Sequence, residues 1–218
     1  LVESLGVPHV EVDLIIVNGV SVGFDYIVQN DDYISVYPVF EQLNINHITQ
    51  LRPRPLRHPA FVCDVHLRKL VKYLRLFGFD VLYNQQWDDT DLAQIAAEQK
   101  RILLTRDRQL LMRKIVDRGL IVRNILPQKQ IVEILNRLDL WDMVTPFSRC
   151  IMCNDHVRQL LINDPSFDNE KKKIPAGVLQ WCTVYYKCLG CGRIYWEGSH
   201  YERLTKKIET IFSENNRS

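Results

Sequence analysis

The stretch FVCDVHLRKLVKYLRLFGFDVLY, running from Phe61 to Tyr83, changes its hydrophobic period twice and thereby decides the fold. Phe61–Asp64 is a short apolar run that ends on an acid. Leu67, Leu70, Val71, Leu74 and Phe77 then recur at helical spacing, and Gly78 is a stop signal. Asp80–Tyr83 is extended and apolar again. The same alternation continues downstream. A helix is expected to begin near Thr90 as N-cap, with Leu92, Ile95 and Ala96 on its inner face. Ile102–Leu104 is a third strand, followed by Thr105-Arg106-Asp107 and a helix through about Val116. Leu120–Val122 is a fourth strand, and Pro127 opens a helix to about Leu138. Alternating strands and helices with short connections predict an α/β fold, a parallel sheet flanked by helices, over residues 60–145.

Both flanks read differently. Leu14–Val17, Val20–Val22 and Tyr33–Val39 are short strands, and Asn18-Gly19 between the first two is a hairpin signal. Residues 1–50 carry no Lys or Arg, but seven acids: Glu3, Glu11, Asp13, Asp25, Asp31, Asp32 and Glu41. The other 168 residues hold all 28 basic residues against 19 of the 26 acids, a net of +9. The acidic part is a poor nucleic-acid binder and the basic part a plausible one. This asymmetry sets a boundary at residue 50. Residues 51–59 are a linker whose prolines favour an extended backbone. Its Arg52, Arg54 and Arg57 either touch a phosphate backbone or belong to a solvated spacer. The chain opens at Leu1 on what reads as the last turn of a helix, so its first residues are expected to be missing.

Residues 146–218 are the third module. Cys150 and Cys153 form one C-x-x-C pair and Cys188 and Cys191 another, across a spacer of 34 residues. Two such pairs supply the four thiolates of a tetrahedral structural Zn²⁺. Asn154 and Gly192 follow the second cysteine of each pair and tolerate the left-handed backbone of a knuckle. The spacer predicts a hairpin with an excursion at its tip, and an amphipathic helix from about Tyr201 to Phe212 ends the chain. Cys63 and Cys182 read as buried small hydrophobes, which places the protein in a reducing, cytoplasmic compartment. No apolar run approaches the roughly 18 residues of a membrane span.

Function in an open parallel sheet lies outside the carboxyl ends of its strands. Asp64 ends the first strand, Asp107 follows the third, and Asp91 lies in the first turn of the helix after the second, with Asp88 and Asp89 just before it. Clustered carboxylates repel one another unless a cation compensates, and oxygen ligands suit Mg²⁺ or Mn²⁺. Such an ion would position a water for attack on a phosphodiester. Structural alternatives stay open: Asp91 as a partner of the helix dipole, Asp107 as an N-cap, Asp88 and Asp89 as loop residues. Asp64 has the weakest alternative, since an acid ending a buried strand is costly without a partner.

Phe-Val-Cys-Asp-Val-His-Leu (61–67), Asp-Leu-Ala (91–93) and Arg-Ile-Leu-Leu-Thr-Arg-Asp (101–107) resemble the PIN-like Mut-seven C-terminal RNase family. The stretch around Cys150–Asn154 and Cys188–Tyr201 resembles that family's zinc ribbon. Residues 14–40 resemble a ubiquitin-like, sulfur-carrier-type β-grasp module that this family commonly carries. Sulfur carriers end in Gly-Gly, whereas this segment runs on through Phe40-Glu41, which implies an interaction role and a possible protein partner. The resemblance implies a metal-dependent ribonuclease in which Asp64, Asp91 and Asp107 take the acidic positions and Asp89 the fourth. Arg68 stands where the family usually has Gly.

Candidate RNA contacts are Arg68 and Lys69 on the polar side of the first helix, and Arg106 and Arg108 beside Asp107; Lys72 and Arg75 on the same side either join them or form a solvated helix face. Lys171, Lys172 and Lys173 are either a flexible RNA-reaching finger or a solubilising loop. Tyr185, Tyr186, Tyr195 and Trp196 either stack bases or cover the ribbon core, and His200 is a phosphate contact or a structural hydrogen bond. The rival readings are a catalytically silent RNA-binding adaptor and a toxin-like, site-specific endoribonuclease. The acidic N-terminal module is expected to screen the basic surface.

Overall fold

A computed structural model describes residues 1–39, 45, 47–51 and 58–215. Phe40-Glu41 and the linker arginines Arg52, Arg54 and Arg57 lie outside the described residues. Among the described residues no helix is long and apolar enough to cross a membrane.

Strands β1 (Val12–Val17), β2 (Val20–Val22) and β3 (Ile34–Pro38) form an antiparallel sheet in the order β2-β1-β3. Asn18 (φ 51°) and Gly19 (φ 85°) make the tight β1–β2 turn, as the Asn-Gly pair predicts. The central unit follows: β4 (Ala60–Cys63), α1 (Arg68–Leu76), β5 (Asp80–Leu82) and α2 (Asp89–Glu98). It continues through β6 (Ile102–Thr105), α3 (Arg108–Leu111), β7 (Gly119–Ile121) and α4 (Pro127–Arg137). Its four strands are all parallel, in the order β5-β4-β6-β7.

Side chains alternate across this sheet with the period of two that a strand imposes. Phe61 and Cys63 of β4 and Ile102 and Leu104 of β6 face one layer, together with Leu70, Leu74, Ile131 and Ile134 from α1 and α4. Val62 and Leu103 face the other, against Leu92, Ala93 and Ala96 of α2 and Leu110 and Leu111 of α3. Each fully buried Leu, Ile or Phe here contributes about 2 kcal/mol relative to solvent exposure.

Two helix ends differ from expectation. Asp88, not Thr90, is the N-cap of α2, because its side chain accepts from the N–H groups of Thr90 and Asp91. Helix α3 stops at Leu111 rather than near Val116. Gly78 ends α1 as predicted, at φ 96°, and a methyl group there would run into the backbone carbonyl of Thr145.

The ribbon is a second antiparallel sheet, β10-β9-β8, made of β8 (Val157–Leu160), β9 (Tyr185–Cys188) and β10 (Ile194–Trp196). The excursion between β8 and β9 contains α5 (Phe167–Glu170) and α6 (Ala176–Leu179), the hairpin tip expected from the long spacer. Helix α7 (Ser199–Asn215) then returns to the central unit. Its Ile208 and Ile211 enter the α1/α4 layer, and Phe212 stacks on Phe77 at 6.1 Å.

The N-terminal segment also docks on the central sheet. Val10 is 1% exposed and packs in the α2/α3 layer. The buried Glu11 carboxylate accepts from the Ile121 N–H of edge strand β7 at 2.7 Å and pairs with Arg137 at 2.8 Å and Arg123 at 3.6 Å. At this acid the expected screening of basic surface is instead a buried seam. Glu11→Ala strands an edge N–H and the Arg137 guanidinium, and should cost about 3 kcal/mol in urea unfolding. An unchanged midpoint would mean that the seam contributes nothing.

Candidate functional site

Chain connections from β4 run through α1 to β5 on one side, and β6 then lies on the other side of β4. The β4/β6 boundary is therefore the switch point of the sheet, where an α/β crevice opens. Asp64 directly follows β4 and extends its ladder, donating its N–H to Leu104 O at 3.0 Å. Its side chain is buried, and its Oδ2 accepts from Thr105 Oγ1 at 2.9 Å. That hydroxyl is the partner that makes a buried acid tolerable at this position. Thr105, fully buried at the end of β6, also accepts the Asp107 N–H at 3.0 Å. One hydroxyl thus couples Asp64 and Asp107. Asp107 is exposed and its Oδ1 accepts from Gln109 N–H at 2.7 Å, so it caps α3 and lies at the crevice at once.

The acids after β5 have local partners. Asp91 Oδ2 accepts the Asp88 N–H at 3.2 Å, closing a capping box with Asp88. Backbone hydrogen bonds from Asp91 and Thr90 hold the Asp88 carboxyl below the usual aspartate range. Asp89 is exposed, 3.9 Å from the Arg113 guanidinium. Asp64, Asp91 and Asp107 do not draw together into a tight cluster. Among the described residues, only the four ribbon cysteines bring three or more ligand atoms within 4.8 Å of one another. Acceptor capacity nevertheless remains on each acid. Asp64 Oδ1 takes just a long 3.4 Å bond from His66 N–H, and the bonds to Asp91 and Asp107 fall on one oxygen of each. Carboxylate oxygens with spare lone pairs are the donor type a hard divalent cation takes, although the fold does not gather them into one close group. Arg68, Lys69, Arg106 and Arg108 are exposed, and the Arg108 guanidinium lies beside Gly6 of the N-terminal segment.

The ribbon cysteines converge as expected. The Sγ atoms of Cys150 and Cys191 are 3.8 Å apart and those of Cys153 and Cys188 3.3 Å. Tetrahedral zinc–thiolate geometry places sulfurs about 3.8 Å apart, so the donor set fits zinc. Asn154 (φ 77°) and Gly192 (φ 68°) adopt the left-handed backbone of the two knuckles. Burial opposes ionisation of Cys150, but the Tyr195 hydroxyl 3.0 Å away and the backbone N–H groups of Cys153 and Met152 bring its thiol down to about 7. Burial pushes Cys188 up to about 12. A bound cation would reconcile the two by holding all four sulfurs as thiolates.

The first knuckle also closes the other edge of the parallel sheet. Asn154 Oδ1 accepts the Val81 N–H of β5 at 2.8 Å, and its Nδ2 donates to Asp80 at 2.8 Å. Arg75 belongs to this seam and not to an RNA-facing surface. Only 7% exposed, it donates to Val81 O at 2.9 Å, Ile151 O at 3.2 Å and Met152 O at 2.8 Å. The polar periodicity of α1 concealed this, although Arg75 stands between two buried leucines, Leu74 and Leu76. Lys171–Lys173 forms a 3-10 turn rather than a flexible finger, with Lys171 on Asp168 at 2.6 Å and Lys173 on Glu170 at 2.7 Å. Tyr185 is a core residue of the ribbon, whereas Tyr186, Tyr195 and Trp196 are half-buried.

Arg75→Met leaves three carbonyls without their donor and should lower stability by about 2 kcal/mol or more while one zinc per chain is retained. Loss of zinc together with loss of stability would show that the guanidinium builds the knuckle itself. Burial raises the pKa of Asp80, but hydrogen bonds from Arg101 and Asn154 outweigh it and hold the group below its ordinary 3.8. Its stabilising contribution is therefore complete above 3.8 and is lost as pH falls through the lower folded value. Asp80→Asn should flatten this acid limb in a melting-temperature profile, and an unaltered limb would remove Asp80 as its source.

Searches of curated proteins and of solved structures found no match to the chain. The family model described as "Mut7-C ubiquitin" matches residues 1–44. The model described as "Mut7-C RNAse domain" matches residues 59–208, which include the parallel sheet, its carboxylate mouth and the four-cysteine ribbon. The chain belongs to the Mut7-C RNAse domain family, with a Mut7-C ubiquitin module at its N-terminus.

Proposed function

We propose that the protein hydrolyses RNA phosphodiester bonds with a divalent cation at the mouth formed by Asp64, Thr105 and Asp107. The observation that carries this reading is the buried Thr105 hydroxyl, which donates to Asp64 and accepts from Asp107 at the switch point of the sheet. Asp64, Asp107 and Asp91 would hold Mg²⁺ or Mn²⁺, with Asp89 as the fourth acid. Such an ion supplies charge neutralisation and lowers the pKa of a water. Thr105 fixes Asp64 Oδ2 and leaves Oδ1 as its less engaged oxygen. Asp107, held through both its N–H and its Oδ1, is oriented before substrate arrives. Arg68, Arg106 and Arg108 offset the repulsion between these acids and RNA phosphates.

The domain reading keeps four parts: residues 1–50, a linker at 51–59, a nuclease unit at 60–145, and a ribbon with a terminal helix at 146–218. Zinc in the ribbon is a staple, because four thiolates leave it no open position. A second reading, an RNA-binding adaptor without turnover, is favoured by the engagement of Asp91 in the α2 capping box.

Cleavage of a labelled RNA pool with Mn²⁺ separates the two. Asp64→Asn and Asp107→Asn should each lower the rate about a hundredfold or more. Thr105→Val should lower it about tenfold, with recovery in Thr105→Ser, because the hydroxyl only orients the acids. RNA binding by the wild type without cleavage in either metal would select the adaptor.

A further inference from the structure

A groove of about 1430 Å³ lies between α1, the ribbon sheet and the first turns of α7. We propose that it is the track along which a single RNA strand reaches the Asp64–Asp107 mouth, a proposal that rests on the ribonuclease reading and gives it a substrate path.

One wall is a continuous face of α1. Lys69, Lys72, Tyr73 and Leu76 line the groove at the i, i+3, i+4, i+7 spacing of a single helix stripe. This stripe runs about 10 Å along the helix. It starts at Lys69, in the first turn of α1 and five positions after Asp64; Asp64, Thr105 and Asp107 themselves do not line the groove, so the strand would leave it at the Lys69 end to reach the mouth.

The charge is one-sided. Across from α1, Arg193 at the second knuckle and Lys207 of α7 line the groove, and no carboxylate does, although acids make up 26 of the 218 residues. Lys69, Lys72 and Lys207 are exposed and have no ion pair among the described residues. Lys173 also lines the groove but is already paired with Glu170. Three unneutralised lysines on facing walls match a polyanion threaded between them.

Half-buried aromatic rings supply the rest. Tyr186 is anchored by its hydroxyl to Glu197 at 3.0 Å, and Tyr201 packs on Phe147 with ring centroids 4.6 Å apart. Rings fixed in advance offer stacking surface to unpaired bases at little entropic cost, whereas a duplex keeps its base faces covered. The groove therefore selects a single strand and reads it without sequence preference.

The test uses the full, zinc-loaded chain carrying Asp64→Asn, so that binding is measured without turnover. Anisotropy of a labelled single-stranded RNA of about 12 nucleotides is followed across a salt series. Adding Lys69→Ala, Lys72→Ala and Lys207→Ala should weaken binding at least about tenfold and make the log–log salt slope shallower by about 2. Lys206→Ala, one residue away but off the groove, should leave affinity unchanged. A triple variant with parental affinity and slope overturns the proposal, as does equal affinity for duplex RNA or no binding of single-stranded RNA. If the triple variant weakens binding but wild type cleaves nothing, the track stands and the ribonuclease reading fails. If wild type cleaves and the triple variant binds as its parent does, the reverse holds.

Discussion

A four-stranded parallel sheet has two open edges, and each leaves backbone N–H groups that must find acceptors if they are buried. Both edges here are closed by a single side-chain oxygen from a flanking module. Asn154 Oδ1 takes the Val81 N–H on β5, and Glu11 Oε1 takes the Ile121 N–H on β7. The N-terminal segment and the ribbon are therefore parts of the sheet's hydrogen bonding. Their charged partners, Arg75 and Asp80 on one side and Arg137 on the other, keep these buried polar atoms satisfied.

Closure at the edges leaves the middle of the sheet for chemistry. The pair β4/β6 is fully flanked, so Asp64 and Thr105 sit on backbone held from both sides. A buried hydroxyl can then hold the Asp64 carboxylate and the Asp107 backbone with little freedom to spare. The four cysteines act at a distance from this point. By fixing the knuckle they fix Asn154, and through Asn154 they fix the outer strand beside β4. The strongest motif in the sequence is thus structural, and the chemistry is assigned to less conspicuous aspartates.

Much of this was legible beforehand. Strand and helix periods located β4, α1, β5, β6, β7 and α4 to within a residue or two, because local periodicity reports directly on which face is buried. The cysteine pairs predicted their own convergence, since spacing and left-handed Asn154 and Gly192 are local properties. Arg75 was misread for the same reason. A period of 3.6 assigns a position to a helix face, but it cannot say that the carbonyls of Ile151 and Met152 will arrive there from 76 residues downstream. The sequence likewise offers Lys171–Lys173 as a flexible finger or a solubilising loop, whereas Asp168 and Glu170, three residues before two of those lysines, pair with them in a 3-10 turn.

By itself the sequence determined the α/β order, the division into an acidic first 50 residues and a basic remainder, the two converging C-x-x-C pairs and the aspartates that follow the strand ends. Each follows from interactions between residues close along the chain or from residue type alone. Tertiary structure decided which acids are coupled, which arginine is buried, how the sheet edges close and where a basic groove opens. Those outcomes depend on contacts between segments remote in sequence. Glu11 meets Ile121, and Thr105 meets Asp64, because packing two layers on one sheet buries these polar atoms where they must be paired within the protein.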